Sequence, residues 1–96
     1  MKFRKKPVVV EAYQITREML NDVLFDKKPY PKGLSISSAS YNNNTRDITS
    51  WFGNVITIHG QRTKVVEDDW IISEPDGIHF YPCKPDIFKK TYEPVT

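Results

Sequence analysis

The chain has 96 residues, of which 39 % are hydrophobic and 27 % charged, and its formal net charge is only +2. A chain of this length has room for one hydrophobic core, and its ordinary composition argues against general disorder. We therefore expect a single domain over residues 1–96. The small net charge gives no reason to expect specific nucleic-acid binding.

The cysteine count and the short apolar runs indicate the cellular compartment in which we expect the protein to act. One cysteine, Cys83, allows neither an intramolecular disulfide nor a multi-cysteine zinc site. The longest purely apolar run is Val8 to Val10, far too short for a signal peptide or a membrane span. These features predict a soluble cytoplasmic protein with no membrane partner.

The N-terminal part predicts a strand followed by a helix. "PVVVEAYQI", Pro7 to Ile15, is rich in β-branched residues and alternates between two faces. Thr16 is a suitable cap for a helix over residues 17–24, which carries an apolar stripe. "DKKPYPKG" ends that helix, because two prolines and a glycine do not continue it.

The middle of the chain predicts little regular structure. "LSIS" favours a short strand, and residues 38–47, "SASYNNNTRD", favour turns because Asn, Ser and Thr bond to the local backbone. We expect a mobile surface loop there. A binding loop that becomes ordered on a ligand is the alternative.

The C-terminal half predicts two hairpins and a short helix. "NVITI" and "TKVV" flank "HGQR", while "WII" and "IHFY" flank "SEPDG", a turn with glycine at its positive-φ position. Pro85 is suited to a first helical position. The expected fold is α+β, a mainly antiparallel curled sheet or partial barrel with an N-terminal helix and a short C-terminal helix. The residues expected to be largely buried are Val8, Val10, Ile56, Ile71, Ile87 and Phe88.

Both ends of the chain carry a family resemblance. "KFRKKPVVVEAYQ" and "DWIISEPDGIHFYPCKPDIFKKTYE" resemble a family of small phage and prophage proteins, many of which have a Pro-Gly-Asp-Tyr-Gly motif. The resemblance implies a phage origin, a setting in the cytoplasm of an infected bacterium, and no catalytic residues. This chain departs from the motif: Glu67, Asp68 and Asp69 precede Trp70, so aspartates must form the turn that glycine forms in the family.

Cys83 invites comparison with a catalytic nucleophile. A nucleophilic cysteine needs a nearby base and a lowered pKa, and His79 stands four residues earlier. The spacing suggests no third orienting residue and no oxyanion glycine. We therefore interpret Cys83 as a small apolar side chain that fills a corner. No spacing predicts a metal site, and no cofactor is expected.

A ligand site has more support than a catalytic one. Arg4 and Lys6 could contact phosphate, and a helix that begins at Pro85 would add its free amides to the charge of Lys84. Asp86 either belongs to such a site or caps those amides itself. Tyr13 and Tyr81 are the candidates for stacking on a base. Core packing is the alternative for the aromatic residues as a group.

These features favour a non-enzymatic phage accessory protein that acts in counter-defence by sequestering a small nucleotide-type ligand in the host cytoplasm. Homo-oligomerisation would help by building pockets between subunits. The alternative is a protein-interaction module: an inhibitor of a host protein, or a minor virion or assembly component, that uses exposed sheet edges. An enzyme acting on a nucleotide ranks last, because no acid–base or metal set is recognisable.

Overall fold

The computed structural model of the chain describes residues 1–3 and 9–94. It contains two helices and six strands, and the strands form two three-stranded antiparallel sheets that do not close into a barrel within the described residues. The expected α+β class, with mostly antiparallel strands and both helices, is confirmed. Arg4, Lys6 and Val8 lie outside the described residues.

The first sheet has the strand order β1-β5-β6. Its strands are β1 (Ala12–Gln14), β5 (Trp70–Ser73) and β6 (Phe80–Cys83). Tyr13 pairs with Ile71, and Ile71 pairs with Pro82, so these three share one face. Because side chains alternate along a strand, Ile72 and Tyr81 lie on the opposite face. The observed β1 is only three residues long, shorter than the strand predicted over residues 7–15.

Helix α1 (Arg17–Phe25) follows β1 as predicted. Thr16 has extended backbone angles, and its hydroxyl accepts a hydrogen bond from the Met19 amide at 3.2 Å. This bond satisfies one of the amides that have no partner inside the helix. Leu20 is fully buried.

The second sheet has the order β2-β3-β4, with strands β2 (Ser35–Asn42), β3 (Asp47–Ile56) and β4 (Arg62–Val65). The long strand β2 corrects the prediction of a loop from residue 38 onward. Its Ser and Asn residues have low strand propensity, but pairing with the apolar strand β3 overrides that local preference. Only residues 43–46 form the turn, in which the Asn42 side chain accepts the Asn44 amide at 2.8 Å.

One hydrophobic core joins both sheets and α1. Its buried members are Ile15, Leu20, Leu34, Trp51, Val55, Val65, Ile71 and Phe80. Ile71 is buried as expected, but Ile56 is 39 % and Ile87 53 % exposed, so those two predictions are wrong. In β3 the neighbouring Val55 occupies the core side, which turns Ile56 outward. Val10 and Phe88 are half-buried.

Helix α2 (Pro85–Thr91) packs on the face of the first sheet away from this core. The rings of Trp70 and Phe88 stack with centroids 4.0 Å apart, and Phe88 also stacks on Tyr92. Ile87 belongs to the same helix but lies on a solvent-exposed side of it, away from the stacked rings. None of the described helices has the length and apolar character needed to cross a membrane.

Three turns connect the strands as the sequence suggests. Gly77 has a φ of +70° in the turn between β5 and β6, and its amide donates to the Glu74 carbonyl at 3.0 Å. Gly60 has a φ of +79° between β3 and β4. Before β5, Asp68 takes a φ of +76°, so an aspartate adopts the left-handed backbone that usually favours glycine.

Candidate functional site

A cavity of about 290 Å³ opens beside β1, and we refer to it as the Tyr13 cavity. It lies between the first sheet, the loop at residues 31–33 and the turn between β5 and β6. Its lining residues are Glu11, Ala12, Tyr13, Pro31, Lys32, Ile71, Ser73, Gly77 and Phe80. The lining therefore includes two aromatic residues, one acidic residue, one basic residue and one serine.

Tyr13 is fixed in this cavity by both ends of its side chain. Its position opposite Ile71 turns the ring toward the core side of the sheet. Its hydroxyl donates to the Lys32 carbonyl at 3.0 Å, which ties β1 to the loop at residues 31–33. Burial raises the pKa of Tyr13 to about 12, so the phenol keeps its proton at neutral pH. The Tyr13 hydroxyl is therefore a structural hydrogen-bond donor, while its ring forms an apolar wall of the cavity.

Phe80 forms the second aromatic wall, and its position depends on Gly33. A Cβ atom on Gly33 would overlap the Phe80 ring, so only glycine lets the loop approach this closely. Gly33 also has a φ of +86°. Phe80 is only 5 % exposed as a residue, so most of it belongs to the core while a small part lines the cavity.

The opposite side of the cavity is held by the turn that follows β5. The Ser73 amide donates to the Glu11 carbonyl at 2.9 Å, which extends the pairing of β1 and β5 by one residue. Within the turn, Asp76 accepts the amides of Ile78 and His79, both at 2.9 Å, and contacts the His79 ring nitrogen at 2.5 Å. The His79 side-chain hydrogen bond is the main cause that lowers the pKa of Asp76 to about 2.

Among the predicted site residues that the structure describes, Tyr13 is separated from Tyr81, Lys84 and Asp86. Tyr13 lies on the core face of the first sheet, whereas Tyr81 lies on the face covered by α2. The Tyr81 hydroxyl lies 3.1 Å from that of Tyr92, and burial is the main cause that raises the pKa of Tyr81. The two tyrosines therefore cannot stack on opposite sides of one base. Arg4 and Lys6 are outside the described residues.

Lys84 and Asp86 lie at the start of α2. The Lys84 ammonium group forms an ion pair with Asp69 at 3.0 Å, and the Asp69 side chain is only 4 % exposed. Asp69 also accepts the Val66 amide at 3.0 Å, so its buried carboxylate has two partners. Lys84 is the N-cap of α2, and its side chain does not cap the helix, while Asp86 is exposed in the first turn. The charge of Lys84, which was predicted to contact phosphate, is thus already paired with the Asp69 carboxylate.

Cys83 does not have the surroundings of a nucleophile. It is half-buried, and burial, followed by the charges of Asp86 and Asp69, raises the pKa of its thiol. A reactive cysteine needs the opposite shift. The ring nitrogen of His79 is engaged with Asp76. Among the described residues, no group of three or more His, Cys, Asp or Glu side chains could hold a metal ion.

A second, smaller cavity of about 190 Å³ lies between α1 and the second sheet. Its cation, Arg17, already contacts Glu67 at 2.7 Å and donates to the Ile48 carbonyl at 2.9 Å. The indole nitrogen of Trp51 is buried there without a hydrogen-bond partner among the described residues. With its cation neutralised, this cavity offers less to a charged ligand than the Tyr13 cavity does.

Of the residues that line the Tyr13 cavity, only Tyr13 is among the site residues predicted from the sequence. Alternation in "IHFY" separates Phe80 from Tyr81, which the structure confirms, but alternation alone does not show that Phe80 faces Tyr13. Glu11 and Lys32 could be assigned to the cavity only with the register of β1 against β5 and the fold of the proline-rich loop.

A scan against protein-family models and searches of curated proteins and of solved structures found no match to this chain.

Proposed function

We propose that this protein is a non-enzymatic binding protein that takes the base of a small nucleotide-type ligand into the Tyr13 cavity. The observation that carries the proposal is the combination of Tyr13 and Phe80 with the charged residues Glu11 and Lys32 in one cavity. Ligand sites typically pair an apolar lining with a few polar groups, and a volume of about 290 Å³ is at the lower end of their range. Such a volume suits a base better than a whole dinucleotide.

The lining matches the parts of a nucleotide. Aromatic rings offer faces or edges to a base, and the Glu11 carboxylate can accept a hydrogen bond from an amino group. Lys32 can pair with a phosphate outside the cavity, because its side chain is exposed. The hydroxyl of Tyr13 is already bonded to the Lys32 carbonyl, so it is not free to act as an acid or base. The cavity therefore supports binding rather than chemistry.

The resemblance of the chain ends to phage proteins supports a biological setting for this binding. In that setting the protein would act in the cytoplasm of the infected bacterium and hold a nucleotide messenger of a defence system. Sequestration requires only that the protein exceeds the messenger in concentration and that its Kd is lower than the messenger concentration. It needs no turnover.

Calorimetry with a panel of cyclic and ADP-ribose-type nucleotides tests the proposal. At least one member should bind, and Lys32→Ala should weaken it by about 1.5–3 kcal/mol through loss of a charge-assisted contact. Lys90→Ala removes an equal charge from an exposed position on α2 and should leave binding unchanged.

Lys84→Ala makes the same experiment decisive about the site. Because Lys84→Ala leaves the buried Asp69 carboxylate without its cation, circular dichroism must first show that this variant is folded. If the folded Lys84→Ala variant does not bind while Lys32→Ala still does, the ligand lies beside α2 and the Tyr13 cavity is the wrong site. If no nucleotide gives heat with the folded protein, the nucleotide proposal fails.

A second candidate function is a protein-interaction module, either an inhibitor of a host protein or a minor virion or assembly component. It is favoured by β2, whose outer edge has no pairing strand among the described residues. An open edge can accept an extended segment of another chain by adding it to the sheet. A protein that binds no nucleotide but loses its biological activity when β2 carries added charges would fit this function.

A further inference from the structure

The edges of the two sheets differ in how well they are protected from pairing. Natural edges are usually short, charged or interrupted by proline. Edge strand β1 has three residues, β6 contains Pro82, and β4 carries Arg62 and Lys64. Strand β2 has eight residues, "SISSASYN", with no charge and no proline. Among the described strands, β2 therefore has the edge most open to pairing.

A bulge in β2 brings its apolar side chains onto one face. Ser37 has no partner on β3, because Ile36 pairs with Gly53 while Ser38 pairs with the adjacent Phe52. Ile36 and Ala39 therefore both face the core side, opposite Gly53 and Trp51. Tyr41 lies on this side too, where its ring meets Phe25 edge-on at 5.0 Å. Ile36 is 40 % and Tyr41 41 % exposed.

We propose that a second copy of this chain pairs with β2 in antiparallel orientation about a two-fold axis at Ala39. With Ser37 outside the ladder, Ile36 lies two paired positions before Ala39 and Tyr41 two positions after it. The axis then places each Ile36 directly opposite Tyr41 of the other copy, and each Ser38 opposite Ser40. A β-branched residue opposite an aromatic one is a favourable cross-strand pair.

The pairing makes one six-stranded sheet and covers the half-exposed side of the contact between Phe25 and Tyr41. It meets no like-charge repulsion along β2, because that strand carries no charged residue. It does not depend on the ligand proposed above, since the Tyr13 cavity belongs to the other sheet. A second copy would occupy the same edge of β2 that the second candidate function assigns to another protein, so the two would compete for it.

Sedimentation velocity on the full chain, between about 1 µM and 1 mM, tests this proposal. The wild type should shift from monomer to dimer as concentration rises. Ser38→Lys with Ser40→Lys places introduced lysines opposite one another and should raise the dimer Kd at least about tenfold. Both serines are exposed in the monomer, so circular dichroism should show an unchanged fold. Gln61→Lys with Thr91→Lys adds the same charge at exposed positions outside the β2–β3 ladder and should dimerise like the wild type.

A charge swap tests the register itself. Ser38→Glu with Ser40→Glu should also weaken self-association, but an equimolar mixture with the lysine variant should form the heterodimer, because unlike charges now face each other. A wild type that stays monomeric throughout the range overturns the proposal. So does a lysine variant that dimerises as well as its control, which would indicate another surface. A mixture that fails to associate would rule out the axis at Ala39.

Discussion

At two single residues, Tyr13 and Asp68, a hydrogen bond or the backbone conformation, rather than side-chain volume, decides which residue suits the position. Tyr13 links β1 to the loop at residues 31–33 through one hydrogen bond to the Lys32 carbonyl. Asp68 holds a left-handed backbone before β5, and its neighbour Asp69 contributes the buried carboxylate that Lys84 neutralises. Each position leads to a prediction that can be measured on a single variant.

Tyr13→Phe should lower the free energy of unfolding by about 0.5–1.5 kcal/mol, because the variant keeps the ring but leaves the Lys32 carbonyl without its donor. Urea unfolding measures this change. Tyr41→Phe removes a hydroxyl from a more exposed ring and should stay within about 0.5 kcal/mol of wild type. Equal effects in the two variants would show that the bond to Lys32 does not stabilise the fold.

Tyr13 also predicts a pH dependence. Its pKa in the folded protein, about 12, exceeds the ordinary value of 10.0, so the folded state keeps a proton that the unfolded state loses. The stability it contributes is therefore fully present below pH 10 and declines as the pH rises toward 12. Tyr13→Phe should show a shallower alkaline loss of stability than wild type. An identical decline would contradict the raised pKa.

Asp68→Gly should raise the free energy of unfolding by about 0.5–1 kcal/mol. Glycine adopts a φ of +76° without the steric cost that a Cβ atom imposes. The Asp68 carbonyl still accepts the Gln14 side-chain amide at 3.1 Å, because that contact uses the backbone. Asp68→Val is the opposing control and should destabilise the protein, since β-branched residues tolerate this conformation poorly. A destabilised glycine variant would show that the Asp68 side chain has a role of its own.

At the scale of elements, α2 is attached mainly by its aromatic residues. Phe88 stacks between Trp70 and Tyr92, while Ile87 on the same helix is 53 % exposed. Phe88→Ala should therefore cost about 2–3 kcal/mol, somewhat less than a fully buried phenylalanine. Ile87→Ala should stay within about 0.5 kcal/mol of wild type. Thermal and urea unfolding measure both, and similar costs would mean that α2 packs through a different face.

The elements also show where sequence patterns suffice and where they fail. The start of α1 and the glycine turn after β5 were predictable because both depend on local features: the Thr16 hydroxyl accepts the amide of Met19, and Gly77 adopts a positive φ. Strand β2 was not, because its ordering comes from pairing with β3 rather than from its own residues. The prediction that Ile56 is buried is wrong for a related reason. Side chains alternate along β3, so either of two sets of residues could face the core, and the partner strands decide which set does.

At the scale of the molecule, the fold is elongated, with principal extents of 62 × 29 × 19 Å. The first sheet carries the Tyr13 cavity on one face and α2 on the other, while the second sheet extends into the long β2–β3 hairpin with its open edge. This arrangement separates a candidate ligand site from a candidate pairing edge. Each proposal can therefore be disrupted without touching the other.

The candidate site was only partly predictable, because it depends on contacts between distant segments. Tyr13 was identified from its aromatic character, yet its partners Phe80 and Lys32 come from the other side of the sheet and from a loop. Tyr81 and Lys84 are close to each other in the sequence and were predicted to act with Tyr13. Both lie instead on the side of the first sheet where α2 packs. Register, which sequence alone does not supply, decides which residues meet.

The measurement that most directly tests ligand binding in the Tyr13 cavity is a two-dimensional NMR titration of the labelled full chain with ADP-ribose and with a cyclic nucleotide. We predict that saturable chemical-shift changes concentrate on Glu11, Tyr13, Lys32, Ser73 and Phe80, which line the cavity. Trp70, Tyr81 and Phe88, on the α2 side, should stay unchanged. Changes confined to the α2 side, or none with either compound at millimolar concentration, would contradict the account.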